Sequence, residues 1–157
     1  MKKFWLASVL IIVSILPVKG DLRLRENRTG MTVLRSPYSV AETSDRLENL
    51  LSERGLTLFS KIDHQAGAES VGENLRPTTL FIFGNPKVGT PLMQCEQTVA
   101  IDLPQKMLVW EDKLDRVWIG YNSPSYLKKR HKIDGCKVTL KRIEQALANL
   151  ATTATTK

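Results

Sequence analysis

The chain has 157 residues, of which 42% are hydrophobic and 25% are charged, and it carries a formal net charge of +7 at pH 7. This length suits one domain with its own core and excludes an array of several domains. The positive charge favours anions mildly and does not by itself indicate a nucleic-acid partner.

The first 20 residues have the pattern of a secretory signal. Two lysines precede an apolar run over residues 4–16, and Gly20 stands before a predicted cleavage between Gly20 and Asp21. The run is shorter than the roughly 20 residues of a membrane span, although an uncleaved anchor is the alternative. Cleavage would lower the net charge to +4, because three lysines and no acidic residue are removed. We expect a secreted or periplasmic protein with no stable membrane span after cleavage and no nucleic-acid partner.

Two cysteines, Cys95 and Cys136, follow the signal. An even pair in an oxidising compartment favours a disulfide, which would stabilise the fold by about 4 kcal/mol on the chain-entropy model. The alternative is two separate buried thiols. Neither cysteine lies in a C-x-x-C motif, which argues against a thioredoxin-like redox centre.

The first predicted elements follow a polar, Arg-rich segment at residues 21–30, which we expect to be a flexible arm. A strand is predicted over 31–35. Ser39 and Glu42 form a capping box that begins a helix, and Gly55 ends it. A second strand is predicted over 56–62.

The middle of the chain is less regular. Residues 63–76 are expected to be irregular or weakly helical, and residues 79–83 form a strand that is apolar on both faces. A turn with two glycines and two prolines follows. Thr90-Pro91 is typical of an N-cap with proline at the first helical position, so a short helix is expected from there to about residue 99.

The last third of the chain contains the clearest hairpin, with strands at 107–111 and 117–121 and a loop at 112–115. Glu111 is expected opposite Arg116. A short helix through residue 130 and a final amphipathic helix over 137–150 follow, the latter with Val138 among its inward positions. The tail at 152–157 is expected to be disordered.

This order predicts a two-layer α+β domain over residues 31–151, with β-α-β(4)-α topology. The sheet is mostly antiparallel, and the helices pack on one face. The strands at 79–83 and 107–110 do not alternate between apolar and polar residues, so the second face also needs cover. We expect the segments inserted before and after strand 79–83 to cover most of it and to leave a cleft or a dimer surface.

A series of short motifs resembles the domain-of-unknown-function 302 family. The motifs are IDHQAGA at 62–68, LRPT at 75–78, FGNPK at 83–87, GTPLM at 89–93, DLP at 102–104, VWED at 109–112 and YNSP at 121–124. The resemblance covers about residues 33–133 and implies a compact α+β domain of TATA-binding-protein-like topology. It implies no activity for any residue, and shared topology with a DNA-binding protein says nothing about DNA binding.

Two groups of residues are candidates for a site. His64 follows a strand beside Asp63 and precedes a Gly/Ala-rich loop, so it could act as a general base, orient a ligand or brace the loop. The second group is Asn85, Lys87, Gly89 and Thr90, where a helix N-terminus and a cation suit an anion. The alternative for this group is a turn that Asn85 closes with its own side chain.

Arg76 and Glu111 are charged residues next to apolar strands. Glu111 is expected to pair with Arg116 across the hairpin, or to act as an acid in a cleft. His131 lies in a basic run and is interpreted as part of a solvated helix end. No residues stand at metal-ligand spacing on one element, so neither a metal nor another cofactor is expected.

Three functions are compatible with these features. The leading hypothesis is an exported domain, non-enzymatic or at most weakly catalytic, that binds a small anionic ligand between the His64 loop and the turn at 85–90. His64 and Arg76 would join the turn residues in that site. The second is an acid–base enzyme that uses His64 with Glu111 or Asp63. The third is a homodimer formed through the apolar sheet face.

Overall fold

The structure is a computed structural model that describes residues 23–156. The predicted signal at residues 1–20 and its cleavage site therefore lie outside the described residues. Among the helices of the described part, none is long and apolar enough to cross a membrane.

One six-stranded antiparallel sheet forms the centre of the domain, with strand order β1-β2-β6-β5-β4-β3. The strands are β1 Arg25–Glu26, β2 Met31–Ser36, β3 Thr57–Asp63, β4 Thr78–Gly84, β5 Gln105–Glu111 and β6 Val117–Asn122. The α-helices are α1 Val40–Glu53, α2 His64–Glu69, α3 Pro86–Cys95, α4 Pro124–Arg130 and α5 Lys137–Thr155, and a 3-10 helix spans Gln97–Asp102. The predicted α+β class and the β-α-β(4)-α core are confirmed. Strand β1 is additional and lies in the segment expected to be a flexible arm.

The two long helices, α1 and α5, pack against one face of this sheet. Alternate strand residues point into that layer, and Phe81, Met107, Val109 and Ile119 have no exposed surface there. The apolar stripe of α1 meets them, and Ser39 accepts a hydrogen bond from the Glu42 N–H as its cap. The apolar stripe of the helix and the inward-facing alternate residues of the strands therefore form one continuous core.

The register of the β5–β6 hairpin differs by one residue from the prediction. Glu111 pairs with Val117, not with Arg116, and Trp110 lies opposite Trp118. The extra turn residue is held by Asp112, whose Oδ1 accepts hydrogen bonds from the Leu114 and Arg116 N–H groups. Since a shift of one residue exchanges the faces of a strand, the observed register places both tryptophans on one face.

The face of the sheet opposite α1 and α5, here named the open face, is not covered as expected. The inserted α3 packs against the 3-10 helix and α5, on the helical side of the sheet. The apolar side chains of the open face stay partly exposed: Val33, Leu80, Ile82, Leu108, Trp110 and Trp118. The segment after β4 therefore does not cover this face as expected, whereas α2, from the segment before β4, contacts β4. Pairing of two copies through the open face stays a prediction.

The C-terminal threonine-rich segment continues α5 to Thr155, whereas disorder was expected from residue 152. Ala154 and Thr155 are buried. Arg46 of α1 donates from Nε to the Ala154 carbonyl over 2.8 Å, and its guanidinium also meets the Thr156 carbonyl. A cation at the C-terminal carbonyls stabilises a helix end. Arg46 and Ala154, which make this contact, are 108 residues apart in the sequence.

Helix α3 begins earlier than predicted. Its N-cap is Asn85 and Pro86 follows at the first position, so Thr90-Pro91 lies inside the helix. Val138 of α5 was expected to point inward but is 68% exposed, and Leu140 is buried in its place.

Two contacts fasten the inserted segment at residues 86–104, here named the insert, to the rest of the domain. The first joins Cys95 at the end of α3 to Cys136 at the start of α5, which lie at disulfide-bonding distance with a Cα–Cα separation of 6.4 Å. The predicted pair is therefore present in the structure. The crosslink closes a separation of 41 residues, which corresponds to about 4 kcal/mol on the chain-entropy model.

The second contact involves His131, which was interpreted as solvated and is instead largely buried. Its Nε2–H donates to Asp102 Oδ2 over 2.5 Å, and the two side chains are only 7% and 11% exposed. Its Nδ1 lies 3.4 Å from the Thr98 hydroxyl, which donates to Glu96. The Thr98 hydroxyl and N–H hold the pKa of the Glu96 carboxyl below its usual value. The 3-10 helix is thereby tied to the end of α4.

The Asp112 network predicts a specific acid sensitivity. The Arg116 side chain, followed by the Trp118 indole and two backbone N–H groups, holds the pKa of the Asp112 carboxyl well below its usual range. A depressed pKa in the folded state contributes stability above the ordinary value of about 3.9 and loses it as the pH falls below that value. We expect Asp112→Asn to flatten the decrease of the melting temperature between about pH 5 and pH 2.5.

The control for this measurement is Asp115→Asn, because Asp115 lies in the same turn and makes an exposed ion pair with Arg76. Equal pH profiles for Asp112→Asn and the unmodified chain would contradict the role assigned to Asp112.

The two histidines provide a matched test of the second contact. His131→Phe keeps the ring but removes the donor of a buried, charge-assisted hydrogen bond, so we expect the free energy of unfolding to decrease by about 2 kcal/mol. His64 is exposed at the first position of α2, and His64→Phe should change the free energy of unfolding by less than about 0.5 kcal/mol. Urea denaturation measures both, and equal effects would show that His131 does not fasten the insert.

Candidate functional site

An apolar cavity of about 310 Å³ lies beside the Gly/Pro turn that the sequence singles out. The insert forms one wall, and the end of β4, the starts of β3 and β5, and helix α5 form the others. Its lining residues are Leu56, Phe59, Phe83, Gly84, Asn85, Pro86, Val88, Gly89, Thr90, Met93, Ala100, Leu103, Pro104, Gln105, Ile143, Ala146, Leu147 and Leu150. Three of these are polar and none is charged, so the cavity favours an apolar molecule.

Local irregularities of β3 and β4 open this space. The β3–β4 register shifts between Leu58 and Ser60, which leaves Phe59 outside the ladder and 55% exposed. The Phe59 ring reaches over Gly84, where an added Cβ would lie 3.6 Å from the ring and 3.5 Å from Pro104. Phe59 and Pro104 therefore both lie next to Gly84, where β4 ends at the cavity.

The first turn of α3 has little capacity to bind an anion through its backbone. Pro86 has no N–H group, and the Asn85 side chain accepts the hydrogen bond from the Lys87 N–H over 2.9 Å. The Val88 and Gly89 N–H groups donate to the Asn85 carbonyl. These bonds agree with the alternative of a turn closed by Asn85. Recognition of an anion here depends on the exposed Lys87 ammonium, which does not line the cavity.

The structure divides the predicted site residues between the two ends of strands β3 and β4. Asn85, Gly89 and Thr90 line the cavity, next to Thr57, which pairs with Gly84. His64 follows Asp63, which pairs with Thr79 at the other end of these strands. Six residues separate Thr57 from Asp63, which is about 20 Å of extended chain. His64 and the turn at 85–90 therefore do not form one site.

Arg76 and Glu111 lie with His64 at the end of the sheet that is far from the cavity. Arg76 lies 3.3 Å from Asp115 and 4.0 Å from Glu111. Glu111 thus faces Arg76, and Arg116 pairs with Asp112 instead. The Asp63 carboxylate caps α2 by accepting from the Ala66 N–H, so it does not orient His64.

Sequence reasoning found the corner of the cavity but missed most of its lining. Met93 and Ala100 come from the insert, and Ile143 and Leu147 come from α5, some 50 residues later. The pair His131 and Asp102 was also missed, because the two residues lie 29 positions apart. The available signal was the cysteine pair, which brings the end of α3 to the start of α5 and so predicts that these segments meet.

The comparisons with known proteins agree with this fold. Two curated relatives are named "Fluoride-specific ion channel FluC 1", from Brucella suis biovar 1 and Brucella abortus biovar 1. Each is 43% identical over 105 residues, which is 67% of this chain and 41% or 39% of the relative. The chain thus spans about two fifths of the length of these relatives.

A solved structure shows the same fold. The crystal structure of an uncharacterized conserved DUF302 protein from Bacillus stearothermophilus matches with a TM-score of 0.72 at 20% identity. The match covers 80% of this chain and 98% of that one. The family model described as "Domain of unknown function DUF302" matches residues 32–150. Because that match includes every strand from β3 to β6 and most of α5, the chain belongs to the DUF302 family.

Proposed function

We propose that this domain binds a small, largely apolar molecule with an anionic end in the cavity beneath the insert. The cavity itself carries the proposal, because it is about 310 Å³ in volume and its lining is almost entirely apolar. Ligand sites in proteins begin at about 300 Å³ and combine an apolar lining with a few polar groups. The polar groups here are Asn85, Thr90 and Gln105.

The volume sets the size of the ligand. An apolar cavity of roughly 150 Å³ takes up benzene, so a space about twice as large suits a molecule of roughly ten to twelve heavy atoms. A medium-length acyl chain or a two-ring compound meets this limit. Burial of such a molecule contributes about 25 cal/mol for each Å² of apolar surface removed from water.

Lys87 supports the anionic end. It stands between Pro86 and Val88, which both line the cavity, and its own side chain is exposed. A ligand that enters with its apolar part first would leave its polar end at the rim, within reach of the ammonium group. A carboxylate is therefore favoured over a neutral end group, by the modest amount that an exposed ion pair contributes.

We also propose that the domain acts outside the cytoplasm, next to a membrane. The Cys95–Cys136 pair supports the first part, since disulfides persist in oxidising compartments. The relatives named as ion channels support the second part, because a related segment there belongs to a larger protein whose name places it in a membrane.

A thermal-shift titration with decanoate and decanol tests the binding site. Ligand at about 100 times its dissociation constant should stabilise the protein by roughly 2.7 kcal/mol. Ala146→Phe adds a ring at an exposed position of α5 that lines the cavity, and we expect it to abolish the stabilisation by both compounds. Gln145→Phe is the matched control, because Gln145 is exposed on the same helix and does not line the cavity. Unchanged binding by Ala146→Phe would contradict the cavity as the site.

The same titration tests the anionic end separately. Lys87→Gln should weaken decanoate binding about threefold and leave decanol binding unchanged. Equal effects on the two compounds, or none on decanoate, would show that the site takes apolar molecules without regard to charge.

A further inference from the structure

We propose that the mouth of the cavity is a docking surface for an anionic lipid bilayer. The proposal goes beyond ligand binding, because it assigns an interaction surface and gives an apolar ligand a source. Binding to the bilayer is measured without any small ligand, so its outcome is independent of whether the proposed ligand binding is correct.

Exposed apolar side chains lie at the mouth and on the segments that form it. Phe59 of β3 and Val88 of α3 line the cavity and are 55% and 42% exposed. Two further exposed apolar residues lie on segments that contribute to the lining: Ile101 of the 3-10 helix is 73% exposed and Val138 of α5 is 68% exposed. Exposed apolar residues are thus concentrated on the segments that form the cavity, whereas single ones are scattered on ordinary surfaces.

Helix α5 extends this surface away from the cavity. Val138, Arg142 and Ala146 follow one another at intervals of four residues, so they lie along one side of the helix. Ala146 lines the cavity, and all three residues are exposed. This side of α5 therefore runs from Ala146 at the mouth to the exposed apolar residue Val138, and the cation Arg142 lies between them.

Two exposed cations, Lys87 and Arg142, are next in sequence to residues that line the cavity. The acidic residues of the neighbouring segments are directed elsewhere: Glu96 accepts from Thr98, and Asp102 pairs with His131 and Arg130. Burial raises the pKa of Tyr121 to about 12 and the carboxylate of Glu144 on α5 adds to this effect, so Glu144 lies toward Tyr121. The mouth therefore combines apolar side chains with cations.

An anionic bilayer suits this combination better than a second copy of the chain. A two-fold pair formed through the mouth would bring Lys87 and Arg142 near their own counterparts and so oppose like charges. At a bilayer, the apolar side chains enter the boundary between headgroups and acyl chains, and the cations meet anionic headgroups. An apolar ligand could then pass between the acyl chains and the cavity without crossing water.

Co-sedimentation with vesicles tests the docking surface. The chain is used from Asp21 onwards, which keeps all described residues and removes the apolar run at 4–16 as a competing anchor. We expect binding to phosphatidylcholine vesicles that contain phosphatidylglycerol and much weaker binding to phosphatidylcholine alone. The double variant Phe59→Ser/Val88→Ser should lower the partition coefficient at least tenfold. Lys87→Gln and Arg142→Gln should each lower it about fivefold, on the anionic vesicles only.

The hairpin turn provides the matched control. Leu114 and Lys113 are an exposed apolar residue and an exposed cation at the opposite end of β5 from the cavity. Leu114→Ser/Lys113→Gln should leave partitioning unchanged. An equal loss with the control variant, equal binding to neutral and anionic vesicles, or no binding to either would overturn the proposal.

Discussion

The attachment of the insert to α5 is the constraint on which the site depends. Residues 86–104 leave the sheet after β4 and return to it as β5, and nothing in the ladder of strands fixes where they run between these points. The Cys95–Cys136 pair and the His131–Asp102 hydrogen bond fix the insert at two places. Between these fixed places and the sheet lies the cavity. Its outer wall is therefore set by these two contacts together with Leu92 and Val99 of the insert, which are fully buried in the main core.

The sheet separates two apolar layers with different roles. Alternation along β4 and β5 sends Phe81, Met107 and Val109 into the core under α1 and α5. The intervening residues, among them Leu108 and Trp110, face the open side and keep part of their surface in water. The one-residue shift in the hairpin keeps this separation, since it pairs Val109 with Ile119 and Trp110 with Trp118. With the register expected from the sequence, a tryptophan would have pointed into the core.

Features set by neighbouring residues were predictable, and features set by distant contacts were not. Local patterns predict the Ser39 cap, the succession of the central strands along the chain and the start of α5. All three agree with the structure. The start of α3 did not, because Asn85-Pro86 and Thr90-Pro91 are equally good helix beginnings. The continuation of α5 beyond residue 152 could not be predicted either, because it is stabilised by a hydrogen bond from Arg46 of α1 to the Ala154 carbonyl. The cavity shares this property, for its lining combines segments up to 94 residues apart, from Leu56 to Leu150.

The small residues of the lining show that the space beneath the insert is not the arrangement with the greatest stability. An added Cβ at Gly89 would meet only the Leu103 side chain, at 3.9 Å, so alanine fits there without strain. Glycine inside a helix is less favourable than alanine by roughly 0.5–1 kcal/mol. At Gly84 a methyl group would likewise make only ordinary contacts with Pro104 and Phe59. Alanine at Gly89 would therefore strengthen α3. The domain thus gives up stability at Gly89, which lines the apolar space, and this is the relation expected of the binding site proposed above.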